Sequence, residues 1–230
     1  MKIMKLMGIL VLAGLVLGVA HNGVTQQQQR DFKNFAILID QSSDMNINYM
    51  EKSKNFVARD VAKRLVNNLA ALKRPIQGAI YEYGIQAKDN ENRVLRVEGW
   101  KDISKHTEEF LLGVDKCQPQ TGPSVLSVAL RKLLHDMQNE PVVGWTAVFI
   151  LSAGNFTDVE KKSDVEDRAK ELKQSHPELC IYTIQIGPND KGQDTLQAIT
   201  EKGKCGYHVN ADSLSTGLET QNYITAIFTK

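Results

Sequence analysis

Asp40, Ser42 and Asp44 fall within five positions, directly after the uncharged apolar run Phe35 to Ile39. Two carboxylates and a hydroxyl at this spacing are hard oxygen donors. Mg²⁺ or Ca²⁺ takes such donors, with solvent or a partner's acid filling an open coordination position. Thr121, in Thr121-Gly122-Pro123-Ser124, offers a further hydroxyl just ahead of a helical pattern. The same residues admit a reading without an ion, in which Asp40 caps the following loop and Ser42 makes turn hydrogen bonds.

These donors need an element to position them, and the chain supplies a regular alternation of strands and helices. Strands are expected at Phe35–Ile39, Gly78–Tyr83, Arg93–Val97, Thr146–Leu151, Ile181–Ile186 and Gly206–Val209. Helices are expected over Met50–Leu72, from Pro123 to beyond Met137, over Asp158–Ser175 and Thr195–Lys202, and from Ser213 to Phe228. In the first of these, Val57, Val61, Leu65, Leu69 and Leu72 recur at spacings of three and four, an apolar stripe that packs on a sheet. The runs around Ile37 and Phe149 are apolar throughout, as central parallel strands covered on both faces should be. Only Lys88 to Asn92 separates the second strand from the third, too short for a crossover helix, so that pair reads as a hairpin with one antiparallel edge strand. In such sheets ligands gather at the carboxyl ends of the strands, which is where Asp40 stands.

Composition sets bounds on partners. Residues 1–20 carry Lys2 and Lys5, an apolar core and a small-residue cleavage site at Gly18-Val19-Ala20, the pattern of a signal peptide; a retained anchor is the alternative. Residues 21–31, rich in glutamine, read as a flexible leader, and residues 32–230 as one domain. Loss of Lys2 and Lys5 moves the formal charge from +1 to −1. That balance, with no basic cluster, speaks against nucleic acid. The five histidines are scattered, without the close spacing of a metal site built on one element.

Three segments together carry a resemblance. Phe35-Ala-Ile-Leu-Ile-Asp-Gln-Ser-Ser-Asp-Met45, the stretch Thr121-Gly-Pro-Ser-Val-Leu-Ser-Val-Ala-Leu130, and Ala147-Val-Phe-Ile-Leu-Ser-Ala-Gly-Asn-Phe-Thr-Asp158 resemble, in this order, the three loops of a von Willebrand factor type A domain's metal-ion-dependent adhesion site. The likeness extends from Phe32 to the C-terminus. It implies a Rossmann-like three-layer α/β sandwich with a mostly parallel central sheet, one antiparallel edge strand and helices on both faces. It also implies Mg²⁺ or Ca²⁺ held by Asp40, Ser42 and Thr121. The chain departs from the pattern at Ala153, where the family has aspartate, and at Asp44, where the family has serine. The expectation is that Asp44 compensates.

The expected role is an exported protein-binding module for adhesion or assembly, secreted or periplasmic, whose partner is another exported or cell-surface protein. The alternatives are a metal-free scaffold or a secreted hydrolase. Asn46, Asn155 and Phe156 are the expected partner-facing rim. Enzymatic activity is not expected, since no Gly-x-Ser-x-Gly elbow, His-Glu-x-x-His or Walker loop is present. Cys180 begins one expected strand and Cys205 precedes the next, so a right-handed crossover brings them together as a disulfide and leaves Cys117 free; three free thiols are the alternative.

Overall fold

A computed structural model describes residues 30–49, 51–86, 92–155 and 160–229. In chain order its elements are β1 (Phe32–Asp40), a hairpin of β2 (Asn48–Tyr49) and β3 (Lys52–Ser53), α1 (Lys54–Ala71), β4 (Gln77–Gln86), β5 (Asn92–Asp102), α2 (Ile103–Lys116), α3 (Leu126–Asn139), β6 (Trp145–Ser152), α4 (Lys162–Ser175), β7 (Leu179–Gln185), α5 (Asp190–Lys202), β8 (His208–Asn210) and α6 (Gly217–Phe228). Single 3₁₀ turns cover Ser43–Asn46 and Ala211–Leu214. The signal peptide, most of the leader, the Lys88-to-Glu91 turn and Phe156 lie outside the described residues.

The six-stranded sheet has the order β5-β4-β1-β6-β7-β8, parallel except for the β4–β5 pair. β1 is central, and alternate residues face opposite layers. Phe35, Ile37 and Ile39 join Val61, Leu65 and Leu69 of α1, Phe110 of α2 and Phe228 of α6. Ala36 and Leu38 join Leu130 and Leu133 of α3, Ala169 of α4 and Leu196 of α5. A strand covered on both faces has no polar side to write, hence its unbroken apolar run.

All five expected helices start elsewhere than the periodicity suggests, α4 at Lys162, α5 at Asp190 and α6 at Gly217 among them, and a sixth helix is added. α1 starts at Lys54, because Asn48–Tyr49 pairs antiparallel with Lys52–Ser53 and the Ser53 hydroxyl caps the helix by accepting from Phe56 N–H at 3.2 Å. α3 starts at Leu126, past Pro123; its first N–H groups, Leu126 and Ser127, donate to the Glu160 carboxylate at 2.8 and 2.7 Å. α2 was not expected at all. Its buried residues are Ile103, Phe110, Gly113 and Val114, while Leu112 of the same helix is exposed.

The two ends of the domain meet at the amino edge of the sheet. The Arg74 guanidinium donates to Phe228 O at 2.9 Å and to Phe32 O at 2.7 Å, and the Phe32 and Phe228 rings stand 5.3 Å apart between centroids. Cys180 and Cys205 form a disulfide near this edge, with Cα atoms 4.8 Å apart; Cys117 is a free, buried thiol.

Candidate functional site

β1 delivers Asp40 to the carboxyl edge, where it is 1% exposed. Its Oδ1 accepts from Ser42 N–H at 2.9 Å, and its Oδ2 accepts from the hydroxyls of Ser124 at 2.8 Å and Ser152 at 2.7 Å. Ser152 ends β6, the neighbouring strand, and in turn accepts from Gly154 N–H at 2.9 Å. Three loops therefore converge on one carboxylate. Burial pushes the Asp40 carboxyl above the usual aspartate range, and the donors from Ser42, Ser152 and Ser124 oppose that push.

The first two loops are also tied through their backbones. Gln120 N–H donates to Gln41 O at 2.8 Å, and Ser43 N–H donates to Gly122 O at 2.9 Å. Gly84, at the end of β4, makes this packing possible: a Cβ there would lie 2.6 Å from Ser42 N, and its φ is +81°. Gly154 and Gly192 pack just as closely, a Cβ on Gly154 falling 2.5 Å from Gly192 Cα, which seats the loop after β6 on the start of α5.

Each residue expected at the site has a definite place. Asp40 and Ser42 are together and buried, and the Ser42 hydroxyl finds no hydrogen-bond partner among the described residues. Thr121 is exposed; the hydroxyl that reaches Asp40 from this loop belongs to Ser124, three residues further on. Asp44 joins α1 to the loop after β6. Its Oδ2 is 2.7 Å from the Lys54 ammonium and its Oδ1 accepts from Asn155 Nδ2 at 3.1 Å. Asn46 is exposed and donates to Gln120 O at 3.0 Å, so the two asparagines expected on the rim also brace the loops. Ala153 presents a carbonyl, which accepts from Asn189 Nδ2 at 3.4 Å.

Ser124 and Ser152 were missed from sequence. The sequence carried no clear signal for Ser124, because the helix is expected from Pro123 and only its observed start at Leu126 puts this hydroxyl ahead of α3. Ser152 stands last in β6, as Asp40 stands last in β1, and the β1–β6 register pairs Ile39 with Leu151, which puts these two side by side.

The donor set fits a hard divalent cation. It is all oxygen, one carboxylate with the hydroxyls of Ser42, Ser124 and Ser152, and one of those hydroxyls is buried without a partner. It contains a single negative charge, and no group of three or more His, Cys, Asp or Glu gathers anywhere among the described residues.

The family model of the von Willebrand factor type A domain matches residues 34–222, and the chain belongs to that family. No curated protein matches the sequence. Solved structures with this fold include BatB from Bacteroides thetaiotaomicron, at 12% identity and TM-score 0.62, over 86% of this chain and 99% of that one. The von Willebrand factor domain of the type V pili tip protein of Porphyromonas gingivalis matches at 11% identity and TM-score 0.63, over 86% and 97%. The pilus adhesin SpaC of Lactobacillus rhamnosus GG matches at 11% identity and TM-score 0.64, over 88% of this chain and 31% of its own.

Proposed function

We propose that the chain is an exported, non-catalytic protein-binding module, of the adhesion or assembly kind, that takes its partner on the carboxyl edge of the sheet. The observation that carries this reading is the convergence of three loops on Asp40, with the Ser42 hydroxyl buried and unpartnered beside it. In this reading Asp40, Ser42, Ser124 and Ser152 hold Mg²⁺ or Ca²⁺. The ion supplies a coordination position for an acidic group of the partner. The pili tip protein and the pilus adhesin among the structural neighbours support a secreted or periplasmic setting and an exported or cell-surface partner.

A second reading, a metal-free scaffold, is favoured by the Lys54–Asp44 pair, which leaves the three-loop cluster with Asp40 as its one carboxylate free of a cation. Calorimetric titration of Mg²⁺ and Ca²⁺ into the purified protein separates the two. The first reading expects saturable binding that Asp40→Asn abolishes without loss of fold, and chelator-sensitive retention of partners on the immobilised protein. Retention that survives both chelator and Asp40→Asn assigns docking to another face.

A further inference from the structure

Beside the Asp40 cluster, on the same edge, a polar pocket of about 190 Å³ opens between the end of β7, the start of α5 and the turn after β8. Its wall includes Gln185, Asp190, Asp212 and Tyr49. Gln185 is 2% exposed. Its Nε2 donates to Asn189 O at 2.9 Å, which fixes the orientation of the amide, since a flipped amide would set two carbonyl oxygens against each other. Oε1 is thereby left as an acceptor, buried and without a donor among the described residues. A buried acceptor of this kind costs free energy until something donates to it.

The groups around it are also acceptors. Asp190 and Asp212 are exposed at the rim, and neither pairs with a cation among the described residues. Asp212 receives the single proton of the Tyr49 hydroxyl, 2.8 and 2.7 Å from its two oxygens, which leaves most of its lone-pair capacity open. Tyr49 remains a donor across the physiological range, because burial and the Asp212 carboxylate push its hydroxyl up to about 12. The Lys54 stem passes along Gly187, and its ammonium is committed to Asp44. Lys191 is exposed and follows Asp190 in the chain.

We infer that this pocket is a receptor for a guanidinium group, an arginine side chain of the docking partner, with Gln185 at its floor and Asp190 and Asp212 at its rim. A planar fork of five donors suits one amide oxygen and two carboxylates better than a compact ammonium does. The inference deepens the reading of this edge as a docking face and adds a basic contact to the acidic one proposed at Asp40. A partner with an arginine near an acidic residue then meets both.

The test uses small probes and the ¹⁵N-labelled protein without a partner, so its outcome is independent of the metal titration. L-Arginine amide produces saturable shifts of the Gln185 side-chain NH₂ and Gly187 amide resonances; L-lysine amide binds more weakly, and L-citrulline amide, its neutral near-isostere, does not bind. Asp212→Asn and Asp190→Asn, both exposed and so tolerant positions, each weaken arginine amide roughly tenfold, as loss of a charge-assisted hydrogen bond should. Gln185→Met, which removes the floor acceptor, weakens it as well. Equal binding of citrulline amide, absence of any saturable shift, or occupation by Ca²⁺ with arginine amide excluded overturns the assignment. So does unchanged affinity in both aspartate variants.

Discussion

The Lys54 ammonium stands 2.7 Å from the Asp44 carboxylate, with both side chains largely shielded from water. The aspartate expected to make up for Ala153 is thus neutralised by the first residue of α1.

This pair sets the first prediction. Asp44→Ser leaves Mg²⁺ affinity within about twofold, whereas Ala153→Asp adds a carboxylate beside the cluster and raises it. Lys54→Met alone destabilises the protein by about 2–3 kcal/mol, because it strands a shielded charge. The Lys54→Met, Asp44→Asn double variant recovers most of that loss. Denaturant titration of the four-member cycle measures the coupling. Additive single effects would remove the pair from the account.

Ser124 and Thr121 separate by the same logic. Ser124→Ala removes a buried donor from Asp40 and costs about 1 kcal/mol, with a parallel loss of Mg²⁺ affinity if an ion binds. Thr121→Ala, on the exposed side of the loop, changes stability by less than about 0.5 kcal/mol and leaves the ion unaffected. Chemical denaturation and calorimetry on both variants check the ranking; a larger effect at Thr121 refutes it.

Glu82 gives the protein a pH dependence. Burial raises its carboxyl above the ordinary glutamate value, opposed by the Cys117 thiol, and Oε2 has no partner among the described residues. A group raised on folding contributes stability that is fully present below its unfolded pKa and is lost as pH rises through the folded value. Glu82→Gln therefore melts roughly 2–4 °C above the parent at neutral pH if about 1 kcal/mol is at stake, and the two curves meet below about pH 4. A constant offset at every pH would point to packing rather than protonation.

The cysteines make a fourth test. Non-reducing peptide mapping finds Cys180 joined to Cys205, and reduction or a Cys180→Ser, Cys205→Ser variant lowers stability by about 3 kcal/mol for a loop of this size. Cys117 resists alkylation in the native protein, since burial and the neighbouring Glu82 carboxylate hold its thiol protonated. It reacts once the chain unfolds. Native labelling of Cys117 at the rate of a free peptide thiol would place it outside the core.

The fold was legible where one physical signal dominated. The apolar runs of β1 and β6 and the stripe of α1 state burial on two faces or one, and the sheet follows from them. α2 was hidden because Leu111 and Leu112 blur the period that Phe110 and Val114 would otherwise mark, and because Leu112 is left in solvent. The β2–β3 hairpin is only two residues per strand, too short to leave an alternation. At the site, Asp40 and Ser42 were legible because local sequence spacing puts them at one strand end. Ser152 and Lys54 were not, since their roles depend on strand register and on where a helix begins.

The Arg74 clasp on Phe32 and Phe228 has a consequence for handling and for architecture alike. Because both ends of the domain leave from the amino edge, a tether at either end holds the Asp40 face outward, at the far pole. A surface-immobilised or fused protein keeps that pole free, and the adjacency of Phe32 to Phe228 allows a short linker to close the chain into a ring, with new termini cut in an exposed loop, without disturbing the strand order. Stretched between its ends, the molecule would first lose this small clasp at one pole, so tension would peel the domain open from the edge away from the site.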